Sequence, residues 1–314
     1  MNPLAAIFRA GVALRNTLYD RHIFLVNKLR RPVVSIGNIS VGGSGKTPFV
    51  ICLGELLKKR GIAFDVLSRG YGRSSTGTQE VNPQGTAEEF GDEPLLIARK
   101  LEVPVIVGAD RYKAGLLAET KFASKLHLLD DGFQHRKLHR DFDIVMLPAD
   151  DARGVLLPMG RLREPLSSLR RADAVVLPDA DRMTSQHNVE RSWIVSRIVQ
   201  IPDIQGKAVA FCGIARPEQF FAALAPCEKE IAAKVTFQDH HRYTQSDINR
   251  LLHARAQTGA SGFIITEKDA INLRAFQHQL QPLWIVDLRM EMDSPDRTLV
   301  DLVTTVEQRT GCRL

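Results

Sequence analysis

A glycine-rich segment, GNISVGGSGKTP at residues 37–48, constrains the fold of this chain more than any other feature. It lies between an apolar run at 32–36, which predicts a buried strand, and a helical pattern over 47–60 that stops at Gly61. Backbone amides of a glycine turn and of a helix N-terminus together bind polyphosphate. The strict pattern has glycine six residues before the lysine, where this chain has Ser40. The strand–turn–helix context and the GSGKT ending nevertheless favour a nucleotide-phosphate loop over a tight turn with an incidental lysine.

The roles within this loop follow from the chemistry of phosphate binding. Lys46 would reach the terminal phosphates and the Thr47 hydroxyl would ligate Mg²⁺. A second apolar run, LHLL at 126–129, ends in Asp130 and Asp131, the arrangement that phosphate-loop enzymes use to hold magnesium or its ligating water. The sequence does not distinguish which aspartate faces the metal. The predicted nucleotide-binding residues are Gly42, Gly43, Ser44, Gly45, Lys46 and Thr47.

Beyond the loop, strand-like and helix-like patterns alternate, which predicts an α/β fold with a mostly parallel sheet. A chain of 314 residues is long enough for about two domains. We predict a phosphate-loop core over 32–177, a linker over 178–206, where the pattern becomes polar and then alternating, and a smaller C-terminal α/β domain over 207–314.

Charge is concentrated at the N-terminus. Residues 1–31 contain six basic side chains and one acidic one, so they hold +5 of the formal net charge of +6. The rest is near neutral, which argues against a nucleic-acid-binding protein. Apolar residues at helical spacing in the same segment predict an amphipathic helix on an anionic membrane surface. A helix packed on its own domain with its basic face in water is the equal alternative.

The four cysteines are scattered without CxxC spacing, which argues against a disulfide framework or zinc ribbon and fits a reducing cytosol. No apolar run approaches the roughly 18 to 20 residues that span a bilayer.

Further motifs follow in order: SRGYGR (68–73), GDEP (91–94), LLDDGFQHR (128–136), LPMGRLREP (157–165), FCGI (211–214), FQDHHRY (237–243) and TEKDA (266–270). With the glycine-rich loop, they make the chain resemble the tetraacyldisaccharide 4'-kinase family over nearly its whole length. The resemblance implies a two-domain phosphate-loop kinase of lipid A biosynthesis. It would use ATP and Mg²⁺ to phosphorylate an acylated glucosamine disaccharide lipid at the cytoplasmic face of the inner membrane, as a peripheral enzyme. No obligate protein partner is evident from the sequence.

The resemblance also implies residue roles. Asp92 in GDEP would be the base that accepts the proton of the acceptor hydroxyl, supported by His240 in the DHH motif. From the residues alone, an aspartate before Glu93 and Pro94 is more typical of a helix cap. Glu164 in RLREP would lie near the nucleotide and metal, with an exposed, solvated charge as the alternative.

Two arginines are candidates for the phosphate that the disaccharide already carries. Arg69, in the glycine-rich loop after the second strand, and Arg111 would hold this anomeric phosphate through bidentate contacts. Both residues could equally lie on the surface or on the nucleotide side.

Other classes of function fit less well. His240 and His241 lack helical HxxxH spacing, which disfavours a zinc site. The TEKD segment lacks the residue between lysine and aspartate that reads guanine in GTPases. The principal alternative is a GTPase-like maturation or trafficking factor, which would have a proper guanine motif and usually a metal-binding His or Cys cluster, and the sequence shows neither. A soluble kinase or ligase for a small metabolite is the second alternative, and it would have no use for a basic amphipathic arm.

Overall fold

The protein is described here by a computed structural model over residues 3–178 and 191–314. Its α-helices are α1 Pro3–Asp20, α2 Lys46–Lys59, α3 Ala87–Phe90, α4 Asp92–Leu101, α5 Arg111–Lys121, α6 Ala149–Ala152, α7 Pro217–Ala223, α8 Gln245–Thr258, α9 Glu267–Leu273 and α10 Pro295–Thr310. Short 3₁₀ segments cover Leu166–Arg171, Ala225–Glu230 and Arg274–Leu280. None of the described helices is both long and apolar enough to cross a membrane.

The strands are β1 Val33–Asn38, β2 Phe64–Ser68, β3 Gln79–Glu80, β4 Val105–Val107, β5 Leu126–Asp130, β6 Phe142–Met146, β7 Ala174–Pro178, β8 Ser192–Gln200, β9 Ala208–Cys212, β10 Ile231–Thr236, β11 Gly262–Thr266 and β12 Leu283–Met292. They form one 12-stranded sheet in the order β10-β9-β11-β12-β8-β7-β6-β1-β5-β2-β4-β3. Pairing is antiparallel at β3–β4 and β8–β12 and parallel between the other neighbours in this order. The predicted α/β fold with a mostly parallel sheet is confirmed.

The central strands are buried on both faces, as parallel strands covered by helices must be. All residues of β1 and β5 are buried, and their register sets Ile36 opposite Asp130. The carboxyl ends of β1, β2 and β5 therefore meet at one edge of the sheet. Loops at this edge are where ligands bind in open α/β sheets.

The region predicted as a linker over 178–206 differs from the structure. Ser192–Gln200 is strand β8, which pairs with β7 on one side and with β12 on the other. Residues 179–190 lie outside the described part of the chain. The alternating pattern of 193–201 reflects a sheet strand that joins the N-terminal and C-terminal groups of strands.

Two large apolar clusters support the N-terminal and C-terminal groups of strands. One fills the space between α2, α4, α10 and the central strands, with Phe49, Leu53 and Leu95 fully buried. The other surrounds Phe211 and Phe263 under α8 and α9. Helices α4 and α9 pack against each other, and this contact brings the GDEP and TEKDA motifs together.

Candidate active site

The glycine-rich loop turns from β1 into α2. Gly45 is the residue that caps α2, and its φ of 86° lies in the left-handed region that favours glycine. A Cβ at this position would also lie 2.5 Å from Cε of Met290. Lys46 and Thr47 then open the helix, so their side chains lie at the positive end of the helix dipole. The structure thus brings the predicted loop residues to a helix N-terminus at the edge of the sheet.

Ser40 stands where the strict phosphate-loop pattern has glycine, and the structure gives the hydroxyl a role. Ser40 is buried, accepts a hydrogen bond from Nδ2 of Asn38 and donates one to Asp151. Asn38 Nδ2 also donates to Oγ of Ser44 over 2.8 Å. The departure from the pattern is therefore accommodated by a buried polar network that stabilises the loop.

Asp130 and Asp131 end β5 in different environments. Nζ of Lys46 lies 3.4 Å from Oδ1 of Asp131, and Nη2 of Arg163 lies 3.2 Å from the same oxygen. Burial would raise the pKa of Asp131, but these two cations outweigh it and lower the pKa to about 2. Asp131 is therefore ionised at neutral pH.

Asp130 is deeply buried, and burial together with the charges of Glu93 and Asp131 raises its pKa to about 7. Its Oδ2 accepts a hydrogen bond from Ser68 over 2.9 Å, while Oδ1 has no partner among the described residues. A buried carboxylate oxygen without a partner is costly unless a cation or water completes it.

These residues fit a magnesium site of the phosphate-loop type. The Thr47 hydroxyl in the first turn of α2 and the free oxygen of Asp130 are hard oxygen donors, the kind Mg²⁺ prefers. No group of three or more His, Cys, Asp or Glu side chains within 3–178 and 191–314 forms a complete protein cage. An ion here would need phosphate oxygens and water as further ligands, as Mg²⁺ usually does.

Glu164 lies in a different environment from the one expected of a metal ligand. It is buried, and its Oε2 accepts hydrogen bonds from Arg171 and from Nδ2 of Asn16 in α1. Glu164 therefore ties the RLREP loop to the N-terminal helix. Its Oε1 has no partner in the described structure, so its predicted part in metal binding stays a prediction.

Asp92 and His240 are 148 positions apart in the sequence and lie in contact in the fold. Nδ1 of His240 lies 2.9 Å from Oδ2 and 3.0 Å from Oδ1 of Asp92. Asp92 is the first residue of α4, whose cap is Gly91, and Asp92 Oδ1 accepts the Glu93 amide hydrogen over 2.8 Å. His240 has a φ of 57°, a strained conformation for a residue with a side chain. We call Asp92 and His240 the dyad.

The charges around the dyad keep Asp92 ionised. Burial would raise the pKa of Asp92, but the hydrogen bond from His240 and the charge of Lys268 lower it to about 2. For His240, burial lowers the pKa, whereas the hydrogen bond to Asp92 and the charges of Asp92 and Asp239 produce a net rise above the usual 6.5. A carboxylate held ionised beside an imidazole can accept a proton from a substrate hydroxyl.

Two residues of this site, Lys268 and Asn272, were not predicted from the sequence; they lie one helical turn apart on α9. Nζ of Lys268 is 3.3 Å from Nε2 of His240, and Nδ2 of Asn272 donates to Asp92 Oδ2 over 3.1 Å. Lys268 also pairs with Glu93 and Asp239 over 3.5 and 3.4 Å. The available signal was that Asn272 follows Lys268 of the TEKDA motif by four positions, which puts both side chains on one face of a helix.

The two arginines predicted to bind substrate phosphate differ in burial. Arg111 is buried, and burial lowers its pKa while the charges of Asp131 and Asp130 raise it, so it lies on the side of the β5 aspartates. Arg69 is exposed and close enough to Arg111 for their charges to interact. His241 contacts Asp247 of the α8 cap over 3.1 Å, so the two adjacent histidines serve different elements.

Comparisons with known proteins agree with this geometry. The profile of the family described as tetraacyldisaccharide-1-P 4'-kinase (LpxK) matches residues 1–307. The tetraacyldisaccharide 4'-kinase of Koribacter versatilis is 49% identical over 99% of this chain and 100% of the relative. That of Aquifex aeolicus is 39% identical over 88% and 90%. A crystal structure described as the "apo" form of LpxK from Aquifex aeolicus in complex with ATP superposes with a TM-score of 0.78. It has 33% identity and covers 97% of each chain.

Proposed function

Because the chain belongs to the tetraacyldisaccharide-1-P 4'-kinase family, we propose that it transfers the γ-phosphoryl group of ATP to the 4'-hydroxyl of a tetraacyl glucosamine disaccharide 1-phosphate. The observation that carries this proposal is the pairing of Asp92 with His240 over 2.9 Å, close to the β5 aspartates. The charge of Glu93, the neighbour of Asp92, helps to raise the pKa of Asp130, which links the two groups electrostatically.

The chain's own residues account for the main requirements of phosphoryl transfer. Asp92, ionised at neutral pH, accepts the proton of the 4'-hydroxyl as the new O–P bond forms and the bond to the β-phosphate oxygen breaks, which releases ADP. His240 orients the carboxylate through the hydrogen bond at Nδ1. Lys46 exchanges Asp131 for the terminal phosphates, and the loop amides of 42–47 bind the remaining phosphate oxygens. Positioning and charge stabilisation supply most of the catalysis in reactions of this kind.

We further propose that Thr47 and Asp130 hold Mg²⁺, with Asp131 and Glu164 as additional candidate ligands. When bound, the ion neutralises charge on the transferring phosphate. Asp130 Oδ1 and Glu164 Oε1 are each buried without a partner among the described residues, and of the two Asp130 lies at the carboxyl end of β5. Arg69 and Arg111 remain candidates for substrate contacts from the sequence analysis, and the burial of Arg111 beside the aspartates favours the phosphate-donor side for it.

We infer that the two groups of strands divide the task. Residues 32–177 would bind the nucleotide and 207–314 would supply His240 and Lys268 to the acceptor side. Residues 1–31 would attach the enzyme to the anionic cytoplasmic face of the inner membrane. In support, α1 leaves Ile7 and Leu14 more than half exposed, and the segment after it exposes Ile23 and Leu25. Exposed apolar side chains beside basic ones are typical of peripheral membrane contacts.

The alternative of a GTPase-like maturation or trafficking factor is not favoured by the family match. Within the described residues, Asp269 is buried and accepts hydrogen bonds from Tyr243, Thr266 and the Gly213 amide. It is a structural residue of the TEKDA helix start, so it is not free to read a guanine base.

The proposal is tested by incubating the purified full chain with ATP, Mg²⁺ and tetraacyl disaccharide 1-phosphate in detergent micelles. The expected product carries a second phosphate at the 4' position, identified by mass spectrometry after fragmentation. Lys46→Ala is the negative control. GTP hydrolysis without transfer to the lipid would contradict the proposal and favour the alternative.

A further inference from the structure

Residues 213–216, the end of the FCGI motif and the two residues after it, contribute no group to the proposed phosphoryl transfer, yet they lie against the glycine-rich loop. They follow β9, and we call them the β9 loop. A Cβ at Gly42 would lie 3.6 Å from Cβ of Ala215, and one at Gly43 would lie 3.7 Å from the same atom. The β9 loop therefore brings the C-terminal group of strands into contact with the segment proposed to bind ATP.

Arg216, the last residue of the β9 loop, forms a buried ion pair. Its side chain is 4% exposed, and its Nη2 lies 3.3 Å from Oδ1 of Asp151, whose side chain is 2% exposed. Nη1 of Arg216 lies 3.5 Å from Oδ2 of Asp150, which is exposed. Because removal of two charges from water is costly, a buried ion pair adds little to stability, which favours a role in fixing the arrangement of its neighbours.

Asp151 connects this ion pair to the glycine-rich loop. Helix α6, which contains Asp151, follows β6, and Met146 of β6 pairs with Asn38 at the end of β1. Asp151 therefore lies beside the start of the loop. Its Oδ2 accepts the hydroxyl hydrogen of Ser40 over 2.5 Å, and Ser40 is fully buried. One oxygen of the carboxylate thus binds Arg216 and the other binds Ser40.

Ser40 is the residue at which the loop departs from the strict glycine pattern. A glycine there would need no partner, whereas a buried hydroxyl requires one. The Val41 amide donates to the carbonyl of Arg161 over 2.8 Å, and Ser40 forms an isolated antiparallel bridge with Leu162. The backbone at the start of the loop is therefore held from one side by this bridge, and the Ser40 side chain is held from another by Asp151.

The β9 loop also holds the dyad. The carbonyl of Gly213 accepts the backbone N–H of His240 over 3.2 Å, and the Gly213 amide donates to Oδ1 of Asp269 over 2.8 Å. His240 has a φ of 57°, and strained conformations persist only where surrounding contacts hold them. The same four residues therefore contact the dyad at one end and Asp151 at the other.

We propose that Asp151 and Arg216 are positioning residues for the phosphate donor. Arg216 holds Asp151, Asp151 holds Ser40, and Ser40 holds the glycine-rich loop in the conformation that binds the phosphates of ATP. The proposal deepens the proposed function and rests on it, since the kinase reaction makes ATP the ligand of this loop. Neither Asp151 nor Arg216 belongs to the loop itself, so both act through Ser40.

The test measures equilibrium binding of ATP to the full chain with Mg²⁺ and without acceptor. Ser40→Ala and Arg216→Gln should each raise the Kd for ATP about tenfold or more, since each removes a partner of the buried Asp151 carboxylate. Arg216→Lys, which retains the charge, should fall between wild type and Arg216→Gln. KM for the lipid acceptor at saturating ATP should stay within about threefold of wild type, because the backbone of Gly213 still holds His240.

The double variant Ser40→Ala plus Arg216→Gln distinguishes positioning from separate structural roles. If Arg216 acts through Ser40, the double variant should bind ATP little more weakly than the weaker single variant. Two independent effects would multiply to about 100-fold, and that outcome would overturn the proposal. Single-variant Kd values within about twofold of wild type would overturn it as well. If Arg216→Gln does not fold, Asp151→Asn, which keeps the shape of the side chain, takes its place in the same cycle with the same expected result.

Arg191→Gln is the matched control. Arg191 pairs with Asp301 of α10 over 2.9 Å at the amino end of β8, the opposite edge of the sheet from the glycine-rich loop. This variant should lower the melting temperature without changing the Kd for ATP. Wild-type enzyme that binds ATP but transfers no phosphate to the lipid would refute the proposed function. Normal transfer by wild type, with unchanged ATP affinity in the Ser40 and Arg216 variants, would refute only the positioning role.

Discussion

Nε2 of His240 lies 3.3 Å from Nζ of Lys268, on the side of the ring opposite the nitrogen that contacts Asp92. An ammonium group only donates hydrogen bonds, so this contact is a hydrogen bond when Nε2 is unprotonated. The neutral ring then carries its proton on Nδ1 and donates it to Asp92. Lys268 therefore selects the tautomer that leaves the Asp92 carboxylate hydrogen-bonded and ionised.

The charge of Lys268 also governs the pH dependence of the dyad. It lowers the pKa of His240, opposing the carboxylates of Asp92 and Asp239, which raise it. Lys268→Gln removes the positive charge, so the pKa of His240 should rise further. If turnover requires the neutral ring, the acidic limb of the kcat profile should then move to higher pH. Measurement of kcat between pH 5.5 and 9 checks this.

Lys268→Arg retains the charge and should keep the wild-type pH profile. Lys100→Gln is the matched structural control, because Lys100 pairs with Glu267 and Asp287 over 2.5 and 3.0 Å and ties α4 to α9 from outside the dyad. It should lower the melting temperature without moving the profile. A Lys268→Gln profile that matches wild type would show that Lys268 is only structural.

Lys46→Ala should fold normally and lose nearly all turnover. Its Nζ pairs with Asp131 at the edge of the sheet, and removal of a charge-stabilising group from a phosphoryl-transfer site commonly costs several kcal/mol of transition-state stabilisation. Lys59→Ala, at the exposed end of the same helix, is the control. Activity of Lys46→Ala within about tenfold of wild type corresponds to a barrier change of at most about 1.4 kcal/mol. Such a result would contradict the assignment of residues 37–48 as the phosphate-binding loop.

Asp92 and His240 should behave as one unit. Because the carboxylate and the ring share a hydrogen bond of 2.9 Å, loss of either residue disables the same proton transfer. The kcat/KM of Asp92→Asn plus His240→Ala should therefore be little worse than that of the worse single variant. The cycle requires both single variants and the double variant on one acceptor preparation. Fully additive losses would mean that the two residues act independently.

The parts of the site that sequence analysis predicted are those whose chemistry is local. The glycine loop, Lys46 and Thr47 are contiguous, and Asp130 is the last residue of its strand, so the local pattern contains the whole arrangement. Asp92 and His240 were identified through family motifs, since nothing in residues 148 apart predicts a contact.

The residues that were missed depend on tertiary packing. Lys268 and Asn272 reach the dyad only because α9 packs on α4, a contact that includes the Lys100–Glu267 ion pair and buried apolar side chains. Strand β8 was interpreted as linker because a polar stretch precedes it in the sequence. Its two neighbours in the sheet are β7, which comes before that stretch, and β12, which is distant along the chain. Pairing across the sheet is a property of the assembled fold, which a local pattern does not contain.

The N-terminal helix packs on its own protein and also has an exposed face, on which the membrane prediction depends. Arg15 Nη2 donates to the carbonyl of Gln134 over 2.6 Å, and Asp20 pairs with Arg136 over 2.8 Å, so α1 is docked on its own protein. Its other face leaves Ile7 and Leu14 exposed by 69% and 61%. Arg9 and Arg21 are exposed as well, which leaves them available to an anionic surface.

Arg9→Gln with Arg21→Gln should therefore weaken binding to vesicles that contain anionic lipid. Each basic group near such a surface contributes about 1 kcal/mol, so two should reduce binding roughly 30-fold at low salt and less at high salt. Apparent KM for the bilayer acceptor should rise, whereas ATP binding should be unchanged.

Arg15→Gln should lower thermal stability instead, because Arg15 attaches α1 to the protein. Vesicle sedimentation at two salt concentrations decides the question, with Lys121→Gln plus Arg289→Gln as a control of equal charge. Unchanged, salt-insensitive binding by the Arg9 and Arg21 variant would leave no electrostatic role for the helix at the membrane.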